Sequence, residues 1–299
     1  MAGGAVVLAG AGGAVGAQLA FRLAAEGTEQ RMIVPGRGQE PSLPDGSPLP
    51  DSETIVLGHT PGRPELATAL EGAETLVIAG AAHRDPDPFA LIRAAAELGV
   101  GRILHLSHIG ASEQAVAMAA RRQWLVEQEV RASGATWTIL QCSILFGALV
   151  RSVHDDVLRA PAGHGRAAAV SNADVADAVT AVLLDERVHV HDRVTYRITG
   201  PTALSGPEIA AALSVTIGRV VRYEPVAARD LYSTPIPWVR DLDAWISCCA
   251  AVDAGVYEQV SDAVPALAGR PARAFWRWLD DYPVEWLHLG DSRDSGTAM

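Results

Sequence analysis

The chain has 299 residues, 24 of them basic and 35 acidic, for a formal net charge of −11. Every one of the 24 cations is arginine, and lysine is absent. Schiff-base, pyridoxal and Walker-loop chemistries each need a lysine amine and are excluded; the acidic balance argues against nucleic acid and against an anionic membrane as main partners.

Over the first half, short apolar runs alternate with amphipathic segments, the pattern of a parallel α/β sheet. Ala5 to Ala9 reads as a first strand and Ala14 to Ala25 as the helix after it. Arg31 to Val34, Thr54 to Leu57, Thr75 to Ala79 and Arg102 to Leu106 read as four more strands. Helical patterns at Pro64–Leu70 and Pro88–Leu98 stand between them. A long helical stretch from about Ser112 to Ser133 precedes a strand at Thr136 to Leu140. Gly36 to Ser52 is a surface excursion, since Pro41, Pro44, Pro48 and Pro50 interrupt any regular element.

Beyond Phe146 the pattern is less regular. Asn172 to Leu184 and Gly206 to Ile217 read as helices, Val194 to Ile198 and Arg219 to Tyr223 as strands. From about Ala227 the chain reads as helical to about Asp280. The expected layout is a dinucleotide-binding sheet domain over residues 1–150 and a smaller, mostly helical substrate-covering part over 151–299, interleaved with the sheet domain. The longest apolar stretch, Thr138 to Val150, is too short to span a bilayer, and no leader pattern precedes the first strand. A cytoplasmic monomer or homodimer is expected. Three cysteines, two of them adjacent (Cys248 and Cys249), predict neither a disulfide framework nor a metal site.

The strongest signal is Gly10-Ala11-Gly12-Gly13-Ala14-Val15-Gly16, placed between the first strand and the first helix. Glycines allow a tight turn and let a pyrophosphate approach backbone amides, while the helix N-terminus adds partial positive charge. The second strand ends Ile33-Val34-Pro35-Gly36-Arg37, with no carboxylate before Glu40. Arg37 is therefore the candidate clamp for a 2′-phosphate, and NADPH is expected over NADH.

These residues resemble the atypical short-chain dehydrogenases of the NmrA-like NAD(P)-binding group. The GAGGAVG loop is similar to that group's GATGxxG, and Arg37 stands where its arginine stands. Glu127 through Leu140 resembles its E-x-x-L-x-x-S-G-x-x-x-T-x-L segment, Asn172 to Ala176 its V-x-x-x-D-V-A helix start, and Tyr196 to Pro201 the strand opening its C-terminal part. The resemblance runs over roughly residues 4 to 285. It implies a Rossmann-type doubly wound sheet, with further cofactor contacts from His59, Thr60, Gly80, Ala81, Ser107 and Ser143.

Three departures from the family pattern matter. Gly58-His59-Thr60 replaces the usual Gly-Asp. By register His108 takes the place of the catalytic serine, with Ser107 just before it. Gln123 takes the place of the lysine and Ala119 that of the tyrosine. All five tyrosines lie beyond residue 195, so no Tyr-x-x-x-Lys pair exists.

Carbonyl reduction needs a hydride donor, a polarising group and a proton source. His108 is the candidate acid, because an imidazole titrates near neutrality. Ser107 is the candidate polarising or nicotinamide-holding group, and Gln123 a neutral donor toward the cofactor ribose. A substrate hydroxyl is the other proton source. Tyr232, Trp238 and Trp245 fall in a predicted lid over about residues 227–255, which favours a flat aromatic substrate.

The Ala-, Gly- and Arg-rich composition without lysine resembles that of a high-GC actinobacterial gene, a setting in which atypical reductases of this family serve antibiotic pathways, so the resemblance implies a bulky substrate such as an aromatic polyketide of the angucyclinone type. The leading reading is an NADPH-dependent ketoreductase that reduces a ketone or quinone carbonyl of such a substrate. A non-catalytic dinucleotide sensor and a redox-neutral cyclase or isomerase are the alternatives.

Overall fold

The computed structural model describes residues 4–80, 86–233 and 239–290; Ala81 and Trp238 lie outside these. β1 (Ala5–Ala9) leads into α1 (Ala14–Ala25), followed by β2 (Gln30–Val34), β3 (Ser52–Val56), α2 (Arg63–Leu70), β4 (Ala73–Ile78) and α3 (Pro88–Glu97). Next come β5 (Arg102–His108), α4 (Met118–Ala132), β6 (Thr136–Cys142) and α5 (Phe146–Arg151). Three short strands follow, β7 (Val153–His154), β8 (Val157–Ala160) and β9 (Arg166–Ala167). After α6 (Asn172–Leu184) the order is β10 (Val194–Ile198), β11 (Leu204–Ser205), α7 (Gly206–Ile217) and β12 (Arg222–Pro225). The chain then forms α8 (Ala228–Leu231), α9 (Leu242–Asp253), α10 (Ala263–Ala268), α11 (Phe275–Asp281) and α12 (Leu287–Gly290).

Contacts divide the chain into two compact units, and it passes between them repeatedly, so neither is one continuous stretch. The first comprises Met1–Ser107, Gln123–Gln141 and Val175–Tyr196; the second comprises His108–Arg122, Cys142–Asp174 and Arg197–Met299.

The first unit is built on a seven-stranded sheet in the order β10-β6-β5-β4-β1-β2-β3. β1 pairs in parallel with β2 and β4, β2 with β3, and β4 with β5. All five residues of β1 are buried, as expected for a central strand covered on both faces. One core layer joins Val7, Ile33, Leu76, Ile78 and Ile103 to Leu66 and Leu70 of α2 and to Leu91 and Ile92 of α3. Strand order reverses between β1 and β4, and that switch point opens a crevice at the carboxyl ends of the strands, where dinucleotides bind in folds of this kind.

The second unit has its own core, in which Phe146 packs edge-on against Phe275 (centroids 5.0 Å apart) and against Trp278 (5.4 Å). A small sheet, β12-β8-β7, and the pair β11-β9 lie in this unit. The fully buried carboxylate of Asp174 accepts from Arg270 at 2.7 Å and from Arg273 at 2.6 Å, tying down the segment that precedes α11.

Three sequence expectations change. The helix expected from Ser112 starts at Met118; residues 112–117 are turns and bends, and the Met118 amide donates to Ser247 Oγ at 3.0 Å. Among the described residues from Ala227 to Asp280 there are four short helices, and Gly255 (φ 74°) and Gly269 (φ 66°), in the left-handed region that ends helices, follow two of them. The strand expected at Arg219–Tyr223 lies at Arg222–Pro225, where it pairs in parallel with β8.

Candidate functional site

The glycine loop follows β1 at the switch point. Gly10 adopts φ 88°, and a Cβ there would fall 2.5 Å from the Cα of Gly80. Gly16 is pinned equally tightly, since a Cβ on it would collide with the Gly10 carbonyl. Only bare backbone lets loop, helix and β4 end meet this closely. Gly12, Gly13 and Ala14 are exposed, whereas Val15 and Gly16 turn into the protein. No side chain caps α1 and no acidic residue stands in its first turn, so its amino end is suited to an anion.

Arg37 is exposed in the turn after β2. Three residues on, Glu40 holds a buried carboxylate oxygen, Oε2, with no hydrogen-bond partner. A Cβ at Gly12 would meet the Gln39 carbonyl at 2.7 Å, so the loop after β2 lies directly on the glycine loop. His59 and Thr60 are exposed beyond the end of β3, and the His59 carbonyl accepts from the Asp87 amide at 3.0 Å.

Alternation along β5 sends His105 and Ser107 to one face, and a spacing of four sends Gln123 and Glu127 to one face of α4. The two rows meet. Gln123 Oε1 lies 2.8 Å from His105 Nε2, so the ring carries its proton there and the amide oxygen accepts it. Ser107 Oγ donates to Glu127 Oε1 at 2.6 Å. Glu127, only 1% exposed, also accepts from Gln141 Nε2 at 2.9 Å and pairs with Arg131 at 2.9 Å; that guanidinium lies over the Trp137 ring. Gln123 therefore spends its oxygen inside the protein, and the Ser107 proton is committed to Glu127. The motif reading used Glu127 only as the start of the E-x-x-L segment and gave no role to it, to His105 or to Gln141, although the matched spacings of two on β5 and four on α4 carry the signal.

His108 is the first residue of the second unit. It is solvent-accessible, yet the protein around it desolvates its imidazolium and lowers its pKa from the ordinary 6.5. Ser143, in the same unit, has a buried Oγ without a hydrogen-bond partner. An apolar cavity of about 150 Å3 lies among α5, α7, α9 and β8, and Trp245 lines it. Tyr232 does not line it: its ring is 59% exposed and its hydroxyl donates to Asp243 at 2.6 Å. The Cys142 thiol is pushed up to about 12 by burial and is chemically quiet.

Among the described residues no cluster of three or more His, Cys, Asp and Glu side chains is arranged to hold a metal ion, and no helix is long and apolar enough to cross a membrane. Buried His191 bonds through both ring nitrogens, to Tyr196 at 2.8 Å and to Asp185 at 3.2 Å.

A family model described as NAD(P)H-binding matches residues 10–186. The chain is 30% identical over 294 residues to the (4-alkanoyl-5-oxo-2,5-dihydrofuran-3-yl)methyl phosphate reductase of Streptomyces griseus, covering 93% of this chain and 97% of that one. Its fold is similar to that of an NADPH-dependent quinone oxidoreductase of Escherichia coli solved with NADPH, at TM-score 0.78, 20% identity and coverage of 93% and 98%. It is also similar to NmrA, a negative transcriptional regulator solved with NADP, at TM-score 0.75, 18% identity and coverage of 97% and 98%.

Proposed function

The chain belongs to the NAD(P)H-binding reductase family, and from that premise we propose that it reduces a ketone or quinone carbonyl on an aromatic, polyketide-type substrate, using NADPH and no Tyr/Lys pair. The observation that carries the reading is the glycine cradle at the switch point, where a Cβ at Gly10 would strike Gly80 and one at Gly16 would strike Gly10. The residues of the first unit fit a dinucleotide: an uncapped helix end for the pyrophosphate and exposed Arg37 for a 2′-phosphate. NADPH bound there supplies the hydride.

The chain's own residues then divide the remaining work. Ser107, its proton given to Glu127, offers only lone pairs and so acts as an acceptor that orients an N–H group. That is a narrower role than polarising a carbonyl, which requires a donor. Gln123, bonded to His105, supports β5 from α4. His108 moves the proton to the developing alkoxide; a lowered pKa makes its imidazolium a stronger acid and a scarcer one at neutral pH.

The fold likeness to NmrA gives the sensor reading its support. Incubation with NADPH and a panel of aromatic ketones and quinones, followed at the reduced-nicotinamide absorbance, separates the two. Consumption that depends on substrate supports the reductase; tight NADPH binding with no consumption across the panel supports the sensor.

A further inference from the structure

We propose that the apolar cavity of the second unit takes the group flanking the reacting carbonyl, and that this group is uncharged and no larger than one six-membered ring or a short alkyl chain. The proposal rests on the reductase reading above and narrows its substrate class.

Size is the first argument. The cavity measures about 150 Å3, and an apolar protein cavity of roughly that volume holds one benzene. A fused polycyclic scaffold does not fit inside, so only one edge or one substituent of a bulky substrate enters.

Polarity is the second argument. Among the described residues no charged side chain lines the cavity. Both hydroxyls in its wall are already turned to backbone: Ser152 Oγ donates to the Ala148 carbonyl at 2.8 Å, and the Tyr223 hydroxyl donates to the Gly163 carbonyl at 3.1 Å. Burial pushes the Cys248 and Cys249 thiols up, so both remain neutral. Walls of this kind offer water few partners, and filling them with apolar surface is favourable. A phosphate or carboxylate on the substrate has no partner here and stays outside.

Shape and continuity are the third argument. Gly206 lets the Tyr223 ring lie flat on the start of α7; a Cβ there would overlap the ring. Tyr223 and Trp245 thereby present two aromatic walls. Ile109, the residue after His108, belongs to a buried cluster against which Ile144, Cys248 and Val252 pack, and those three line the cavity. The candidate acid thus adjoins in sequence a member of the cluster that backs the wall of the proposed subsite.

The test is calorimetric titration of the full-length protein with toluene, for the wild type and for Ala148→Phe, with NADPH binding measured on each as a check of folding. Saturable one-to-one binding that weakens by about tenfold or more in Ala148→Phe is expected. Absence of saturable binding in the wild type, or equal binding in a variant that still binds NADPH, overturns the proposal. If Ala148→Phe does not fold, Trp245→Ala decides: the enlarged cavity is expected to bind naphthalene, which the wild type excludes, and identical behaviour of the two proteins overturns the proposal. The toluene pattern without NADPH consumption on any carbonyl compound would leave the cavity assignment standing and remove the reductase reading alone. NADPH consumption without toluene binding would do the reverse.

Discussion

The hydroxyl of Ser107 donates to the carboxylate of Glu127 across 2.6 Å, and neither side chain is more than 2% exposed. A buried hydroxyl has one proton, so this bond decides what Ser107 can offer a ligand. A charge-assisted hydrogen bond of this kind is worth about 1.5–3 kcal/mol. Glu127→Gln is expected to lower kcat/KM by roughly 10- to 100-fold, as is Ser107→Ala. In a double-mutant cycle the two losses are expected to be strongly non-additive, because they break one bond. Additive losses would show that Glu127 serves the fold without setting the serine.

Cofactor choice is expected to follow two residues after β2. Arg37→Ala removes the only proposed partner of a 2′-phosphate, so KM for NADPH should rise by about tenfold or more while KM for NADH holds. Glu40 has a buried carboxylate oxygen without a partner, suited to ribose hydroxyls. Glu40→Gln should therefore weaken NADH more than NADPH. Initial rates with each cofactor check both, and a parallel change in the two KM values for Arg37→Ala would contradict the assignment.

The two kinds of glycine in this fold give a matched control. Gly10→Ala forces a Cβ onto the backbone of Gly80 as well as straining φ at 88°, and is expected to abolish NADPH binding. Gly27 also has positive φ, 65°, but nothing lies within 4 Å of its Cβ position. Gly27→Ala is expected to cost about 1 kcal/mol of stability and leave NADPH binding intact. Fluorescence titration and thermal melts on the pair distinguish the cradle from backbone strain alone.

Where local chemistry decides structure, the sequence was legible. The glycine loop, α1 at Ala14–Ala25, α6 at Asn172–Leu184 and α7 at Gly206–Ile217 follow from turn glycines, caps and period; Ser205 and Glu208, for example, form a capping box at the start of α7. Where a partner comes from far along the chain, it was not. The start of α4 depends on Ser247, 129 residues away, bonding the Met118 amide. The role of Ser107 depends on Glu127, which lies 20 residues on and on another element. The cavity is walled by α5, α7, α9 and β8, and no local pattern announces such a convergence. Tyr232 was expected to face substrate from its aromatic neighbourhood, but an acidic partner one helix away turns its hydroxyl to the surface.

The pH dependence identifies the proton source. Desolvation lowers the His108 pKa below 6.5, so the imidazolium is populated on the acid side and is lost as pH rises through that lowered value. In the wild type kcat/KM should fall with rising pH, with a midpoint below 6.5. His108→Gln should remove that limb and lower the acid-side plateau by roughly 100- to 10,000-fold. A limb that persists unchanged in the variant would show that His108 is not the proton source.

Hydride transfer from a nicotinamide to a carbonyl carbon, with no Tyr-x-x-x-Lys pair in the chain, stands at the centre of the proposed function. Its most direct test is the fate of the hydride. NADPH carrying deuterium at the transferable C4 position is incubated with the purified protein and a reactive aromatic ketone, whose alcohol product keeps the label on carbon, and the product is analysed by mass spectrometry. One deuterium in the product per NADPH consumed is the expected result. Label-free product, or product formed with no NADPH consumed, would contradict the account.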